Sequence, residues 1–571
     1  MPTDYIYDDF TLDHAATSNS LPSSAERVSA CHHALRCTEI LDQVLQEFYS
    51  WTSSEMYRSS CHVALVCHAF FHSAAAVIWH DIPSLQPLYS LLVVGAIHPE
   101  PNIVSFDPPQ AAWTRFLRYA SLIHIVRRVE LRELDSDRFR APVRCNGGRT
   151  ILPSARAFTI CGRTSGVGPA RALSSGLALI ASPVVSTLNL GYIENIFFDL
   201  FLSSAVAKAF PALERVTLPL HALMQSRKRI PGFIAGLVGL SRLRSLELTT
   251  LVILKNLPLE TTLVDRLIST LPRLEYLDVG NPVVHSVPPR LYRWQGATAC
   301  PVAPRLRHLV CFGTWDAVAG LPSALTCPCL EELRFSIRQR FSPDNAQDVT
   351  TVLSRCMRDI AESRFAPRLR NLRVNARYNV SGGIQQPVLP PMADLLGPLL
   401  ALERLETLCF KLHGRPFPRL PAAYSADDDM HAVAAGLGRR IHHLELQHDR
   451  HTSRGPLSMI ATLRSLAHFA VLCPHLVSLS LAVFTDDVGI GPSCIPSMPW
   501  QPGDSTMRRL ELAPSTAVIP GILSPSDSKL LAAFLHHLFP RLDISECSFR
   551  SADEDAAVRD ELRVLGSSQR T

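Results

Sequence analysis

From Val126 to Leu512 the chain keeps returning to one pattern of apolar and polar positions. An apolar residue is followed by two variable residues, a second apolar residue, one variable residue and a third apolar residue. Pro272-Arg273-Leu274-Glu275-Tyr276-Leu277-Asp278-Val279 is the cleanest copy. Its closing Leu277-Asp278-Val279 has the period of two that puts two side chains on one face of a short strand. Leu274 closes the same core from the turn leading into that strand. The pattern occurs about 13 times at spacings of roughly 24 to 39 residues, within or near the range of repeat arrays. The first triplets are Val126/Val129/Leu131, Ala155/Phe158/Ile160, Val185/Leu188/Leu190, Leu213/Val216/Leu218 and Leu243/Leu246/Leu248. After Leu274/Leu277/Val279 come Leu306/Leu309/Cys311, Leu330/Leu333/Phe335, Leu369/Leu372/Val374 and Leu405/Leu408/Phe410. Ile441/Leu444/Leu446, Leu476/Leu479/Leu481 and Met507/Leu510/Leu512 complete the set. One such strand cannot bury its own apolar face, but a stack can, which predicts a solenoid.

Many copies carry proline two residues ahead of the triplet, as at Pro153, Pro272, Pro304 and Pro367. A proline there is expected to stop the preceding helix and give the strand an extended start. Between copies, helical spacing appears at Thr262–Ile268, Val349–Met357 and Pro391–Leu396. The fold class is therefore α/β. These phrases resemble the leucine-rich repeat, in a form lacking the usual Asn after the strand. The resemblance implies a curved solenoid with short parallel strands on its concave face and helices outside. In each copy the residue between the last two apolar positions turns away from the core. Glu247, Asp278, Arg334, Arg373 and Glu445 are the charged candidates for a substrate-binding face. Their mixed signs suit a protein or peptide partner better than a polyanion. An ordinary solvated sheet face is the bland alternative.

The N-terminal region follows a different pattern. Residues 1–30 are polar and acidic and read as a disordered tail. Residues 31–90 read as a helical domain. Apolar residues at Ile40, Leu41, Val44, Leu45 and Phe48 have helical spacing, with Thr38 placed to cap the helix. A short polar link from Ser50 to Ser60 follows, then two short helices between Cys61 and Trp79. Leu35, Glu39, Ile40, Leu41, Val44, Leu45, Phe48, Leu65, Val66, Cys67, Phe70, Ile78 and Trp79 together resemble the F-box of fungal, basidiomycete-type proteins. The resemblance implies docking on a Skp-type adaptor through Leu35, Ile40, Leu41, Val44, Phe48, Leu65, Val66, Cys67, Phe70 and Trp79. Joined to the repeats, it implies the substrate-recognition subunit of a cullin–RING ubiquitin ligase, with an unknown protein target and a cullin scaffold as partners. A plain helical cap on the first repeat is the alternative for this unit. A protein-interaction scaffold without a ligase partner is the alternative for the chain. Residues 91–110 form a proline-rich connection, 111–550 the repeat solenoid and 551–571 a charged tail, with a frayed helix as the alternative.

Composition narrows the classes further. Hydrophobic residues make up 47% and charged residues 19%, a globular balance. A formal charge of +5 is too small and scattered to argue for nucleic acid. The 15 cysteines have no framework spacing and the acidic start is no secretory leader, so free thiols in the cytoplasm, the nucleus or both are expected. The apolar run from Val63 to Trp79 contains His68 and His72 and is short for a bilayer, so no membrane role is expected. Only five of the 56 basic residues are lysine, as codon bias in a GC-rich genome would give. In a ligase receptor, few acceptor lysines would also limit self-modification.

Gly162–Gly168 lacks the Lys-Ser/Thr of a phosphate loop and reads as a plain loop. His442, His443, His448 and His451 lack the convergence a metal needs, and Cys327-Pro-Cys329 stands without a second pair. No cofactor, metal or enzyme signature is expected. An enzyme using a cysteine–histidine pair ranks last.

Overall fold

The computed structural model describes residues 37–47, 53–93, 108–130, 142, 145–162, 180–193, 205–219, 230–249, 261–279, 302–313, 321–341, 348–380, 390–415, 425–449, 462–482, 505–513, 525–548 and 552–568. Leu35, Phe48, Leu131, His451, the tail at 1–30 and residues 163–168 of the glycine loop lie outside them. The chain divides into two compact units, Met1–His98 with Asp107–Arg127, and Pro99–Phe106 with Arg128–Thr571.

The first unit holds helices α1 (Thr38–Gln46), α2 (Ser53–Ala64), α3 (His68–His80), α4 (Gln86–Val93) and α5 (Gln110–Ala120), with the two-residue strand β1 (Asp81–Ile82). Leu45, Met56, Ala74 and Val77 form one buried cluster, with Tyr57, Val63 and Ala64 packed against them, and Leu41, Ile82, Leu88, Phe116 and Ile123 are buried as well. Helix α1 begins at Thr38 itself; its cap position falls on Cys37, whose side chain makes no capping bond. The Cys37 carbonyl instead accepts from Leu41 N at 3.1 Å. The expected polar link from Ser50 to Ser60 is helical from Ser53 onward. Met56, Ser60 and Val63 recur at spacings of four and three, and the first two are buried, so one stripe of this polar segment turns inward. Helix α5, expected to belong to the array, packs with α4 through Tyr89 and Phe116, whose rings lie 5.9 Å apart. Trp79 stacks on Tyr119 at 4.8 Å. Strand β1 pairs in parallel with the start of β2 (Ile125–Glu130). Across that pair Arg127 Nε and Nη2 donate to both Asp81 carboxylate oxygens, at 2.7–3.0 Å.

The second unit carries the repeats. Its strands are β3 (Ala157–Gly162), β4 (Thr187–Ile193), β5 (Arg215–Pro219), β6 (Ser245–Thr249), β7 (Tyr276–Val279) and β8 (His308–Gly313). They continue with β9 (Glu332–Phe341), β10 (Asn371–Val380), β11 (Thr407–Arg415), β12 (His443–Asp449), β13 (Ser478–Ala482) and β14 (Arg509–Ala513). All pair in parallel, and strand order follows chain order. The register matches the sequence pattern position by position. Phe158, Leu188, Val216, Leu246, Leu277, Leu309, Leu333, Leu372, Leu408, Leu444, Leu479 and Leu510 stand opposite one another along the whole row. Every described residue of the 13 triplets is buried, none more than 5% exposed. This is the leucine-rich-repeat arrangement: each strand completes its core only against its neighbours.

The proline positions differ from expectation. Pro211, Pro272, Pro304 and Pro328 sit inside a reverse turn, not an extended segment. The amide of the first triplet residue bonds back three residues, as Leu213 N to Phe210 O and Leu274 N to Leu271 O, both 3.1 Å. Proline, with φ preset near −65°, is suited to the second position of such a turn. The residue after the first triplet position then offers a carbonyl to two amides of the next repeat. Arg244 O accepts from Glu275 N and Tyr276 N, and Glu275 O from Arg307 N and His308 N, at 2.7–3.0 Å. Glu214, Arg244, Glu275, Arg307, Glu331, Arg370 and Glu406 occupy this position in succession, so their charges alternate. Arg244–Glu275, Arg307–Glu331 and Arg370–Glu406 pair at 3.5–3.6 Å.

On the other side of the sheet lie α6 (Ala205–Ala209), α7 (Ile230–Val238), α8 (Thr261–Thr270), α9 (Leu321–Ala324), α10 (Asp348–Ala361), α11 (Met392–Leu400), α12 (Ala426–Leu437) and α13 (Leu463–Leu472). Two acids in the first turn of α12 staple its neighbours. Asp429 accepts from Met392 N and Ala393 N at the start of α11, both 2.7 Å. Asp427 accepts from Thr462 N at 2.9 Å and Thr462 Oγ1 at 2.7 Å, at the start of α13. Gly436 is required by close approach, since a Cβ there would meet the Leu400 side chain at 2.6 Å. The C-terminal stretch expected as a charged tail is a 17-residue helix, α15 (Ala552–Ser568), packed on α14 (Pro525–Leu538). Val558 and Leu562, one turn apart, are its buried contacts.

Candidate functional site

The exposed face of the repeat sheet is built by the alternation that buries the triplets. Glu247, Asp278, Val310, Arg334, Arg373, Cys409 and Glu445 stand opposite one another in that order, one per strand from β6 to β12. All five charged candidates therefore fall in one row. Two acids lie together on β6 and β7, two exposed arginines on β9 and β10, and a third acid on β12. Glu247 accepts from Thr217 Oγ1 at 3.2 Å. Glu445 accepts from Cys409 Sγ at 2.9 Å and pairs with Lys411. Burial pushes the Cys409 thiol up to about 12, and its hydrogen bond to Glu445 adds to the shift.

Two residues before each of these lies a second face row, which the sequence reading missed although it shares the period of two. Tyr276, His308 and Glu332 are neighbours there. The Tyr276 and His308 rings are 6.0 Å apart, and His308 Nδ1 lies 3.0 Å from Glu332 Oε2. Burial pushes the Glu332 carboxyl up, but hydrogen bonds from Arg334 and His308 outweigh it and hold the group below the usual carboxylate range. Burial, then the charges of Asp278 and Glu247, push the Tyr276 phenol up. This stretch brings acids, arginines and an aromatic ring together within a few strands.

The helical unit divides its expected adaptor residues into two groups. Ile40 is 41% and Val44 55% exposed, one turn apart on α1; Leu65 is 85% and Val66 67% exposed in the turn between α2 and α3. Cys67 is exposed and Phe70 half-buried. Leu41 is 1% exposed and belongs to the unit's interior, while Trp79 is held by Tyr119.

Several free cysteines elsewhere among the described residues are buried. Burial pushes the thiols of Cys327, Cys356 and Cys473 up to about 12, away from the thiolate that a nucleophile needs. No group of three or more metal-ligating side chains gathers there, and no helix is long and apolar enough to cross a membrane.

No protein-family model and no curated protein matches the chain. Among solved structures, an internalin from Listeria monocytogenes aligns over 72% of this chain and 80% of its own, at 12% identity and a TM-score of 0.26. A complex of Rad7 and Elc1 from yeast aligns over 67% and 81%, at 13% identity and a TM-score of 0.34.

Proposed function

We propose that the chain is a substrate receptor. In this reading it holds a protein target on the exposed sheet face and docks through its helical unit on a Skp-type adaptor, itself carried by the cullin scaffold of a ubiquitin ligase. The observation that carries the reading is the exposure of Ile40, Val44, Leu65 and Val66 in a unit that has its own buried core. These four belong to the set through which the F-box resemblance implies adaptor contact. Full burial of one such side chain in a partner contributes about 1.5–3 kcal/mol, so four together support a specific complex. The face residues Glu247, Asp278, Arg334, Arg373 and Glu445 are the proposed target contacts. The chain would then do no bond chemistry, but would raise the effective concentration of a target beside the transferring enzyme.

Co-purification with a Skp-type adaptor tests this, comparing wild type with a Leu65→Asp, Val66→Asp double variant. Binding by wild type, lost in a variant with unchanged circular dichroism, supports the receptor. The second reading, a repeat scaffold with no ligase partner, draws on the buried position of Leu41 and the stacking of half-buried Trp79 on Tyr119, which serve packing whatever the unit docks on. Absence of adaptor binding by wild type would favour it.

A further inference from the structure

The turns leading into β6, β7 and β8 each place an arginine directly before the first triplet residue: Arg242, Arg273 and Arg305. Adjacent strands of a sheet are about 4.8 Å apart, so equivalent positions on three successive turns are neighbours. These arginines, with Arg244 and Glu214, line a recess of about 200 Å³. Four guanidinium groups against one carboxylate leave a formal excess of three positive charges (four minus one).

The neighbouring column one step along the chain behaves differently. There arginine and glutamate alternate, and Arg244 itself pairs with Glu275 at 3.5 Å. In the column of Arg242, Arg273 and Arg305 no acid intervenes. Among the described residues Arg242 and Arg305 have no ion-pair or hydrogen-bond partner, and all four arginines are exposed. Arg273 donates from Nη1 to the Ser241 carbonyl at 2.9 Å, which anchors it over the preceding turn. The column is bounded: the equivalent positions are Ala212 before β5 and Cys329 before β9. Further on it does not re-form as a cluster, because Arg368 reaches Cys329 Sγ at 3.3 Å and Arg440 turns inward to the carbonyls of Leu400 and Gly436.

From this we infer that the recess over the β6–β8 turns binds a phosphate group, through Arg242, Arg273 and Arg305 with support from Arg244. A guanidinium is a planar fork that meets phosphate oxygens with two parallel bonds, and a phosphate monoester carries nearly two charges where a carboxylate carries one. With Arg244 paired to Glu275, three arginines against Glu214 leave an excess of two positive charges (three minus one), which suits the doubly charged group. Glu214, in the lining of the recess, opposes the ligand and lowers its affinity. The site stands on the repeats alone and does not depend on adaptor docking.

The test is calorimetric titration of the full chain with inorganic pyrophosphate and, separately, with a phosphoserine peptide and its unphosphorylated form. Arg242→Gln with Arg305→Gln should weaken pyrophosphate binding by about tenfold or more, since each charge-assisted bond is a strong one. Glu214→Gln should strengthen it. Arg404→Gln, at the same turn position of a later repeat, should change nothing. A phosphopeptide that displaces pyrophosphate marks the ligand as a phosphorylated partner; one that does not marks it as a free phosphate ester. Failure of both probes to bind wild type would overturn the proposal, as would an equal loss in Arg404→Gln or equal binding of the two peptide forms with no pyrophosphate binding. Adaptor co-purification is unaffected by any of these results, so the two readings fail separately.

Discussion

The two units solve the burial of apolar side chains in opposite ways. In the repeat array every described triplet residue is enclosed, because the strand before it and the strand after it present the same position. In the helical unit, Leu65 and Val66 remain largely in water although the unit buries a core of its own. A translational repeat supplies its own complement, strand after strand. A single small helical unit does not, and what it leaves exposed is available to a partner. The contrast is between apolar side chains enclosed by register and apolar side chains left in water by its absence.

The sharpest break of this contrast is within the array. Leu277→Ala, at a fully buried position between two equivalent leucines, should cost about 2–5 kcal/mol in urea unfolding. A loss below that range would show that the repeats collapse onto a vacancy more readily than their shared register implies. Next in size is the staple between helices. Asp429→Ala removes the acceptor for two amides at the start of α11 and should cost about 1–3 kcal/mol, measured in the same way.

A smaller, pH-dependent effect belongs to the exposed face. Glu332 is held below the usual carboxylate range in the folded chain by Arg334 and His308 against the effect of burial. Its contribution to stability is therefore complete above the unfolded carboxylate value and fades as pH falls through the lower folded value. Glu332→Gln should reduce stability at neutral pH and flatten that acid-side decline; a parallel decline in both proteins would exclude the linkage. The smallest expected effect on folding comes from the helical unit. Leu65→Asp with Val66→Asp should alter the urea midpoint by no more than an ordinary surface change, within about 0.5 kcal/mol, while abolishing adaptor binding. A large loss of stability would instead make those residues part of the unit's packing.

Much of the array was legible in the chain. The triplets named the buried positions, and the alternation around Leu277-Asp278-Val279 identified the exposed row that holds Asp278. Helices were harder where polar residues predominate: Ser53–Ala64 looks like a link until Met56 and Ser60 are seen to share one buried stripe. At the C-terminus the charge density left tail and frayed helix open, and only the burial of Val558 and Leu562 decides for a packed helix. Among the residues expected to meet an adaptor, the motif could not separate exposed Val44 from buried Leu41, since nearby apolar residues on a helix differ only in which side meets the core.

The arginines were in plain view as Arg242, Arg273 and Arg305, each just before a triplet, yet as a sequence they are three separate variable positions about thirty residues apart. The sequence alone determined the period, the strand-forming phrase and the side chains that must leave water, because these follow from local alternation and composition. Which exposed residues become neighbours was decided only in the tertiary structure. Stacking converts an interval of some thirty residues into one strand spacing of about 4.8 Å, and charges interact through that distance, not through the chain between them.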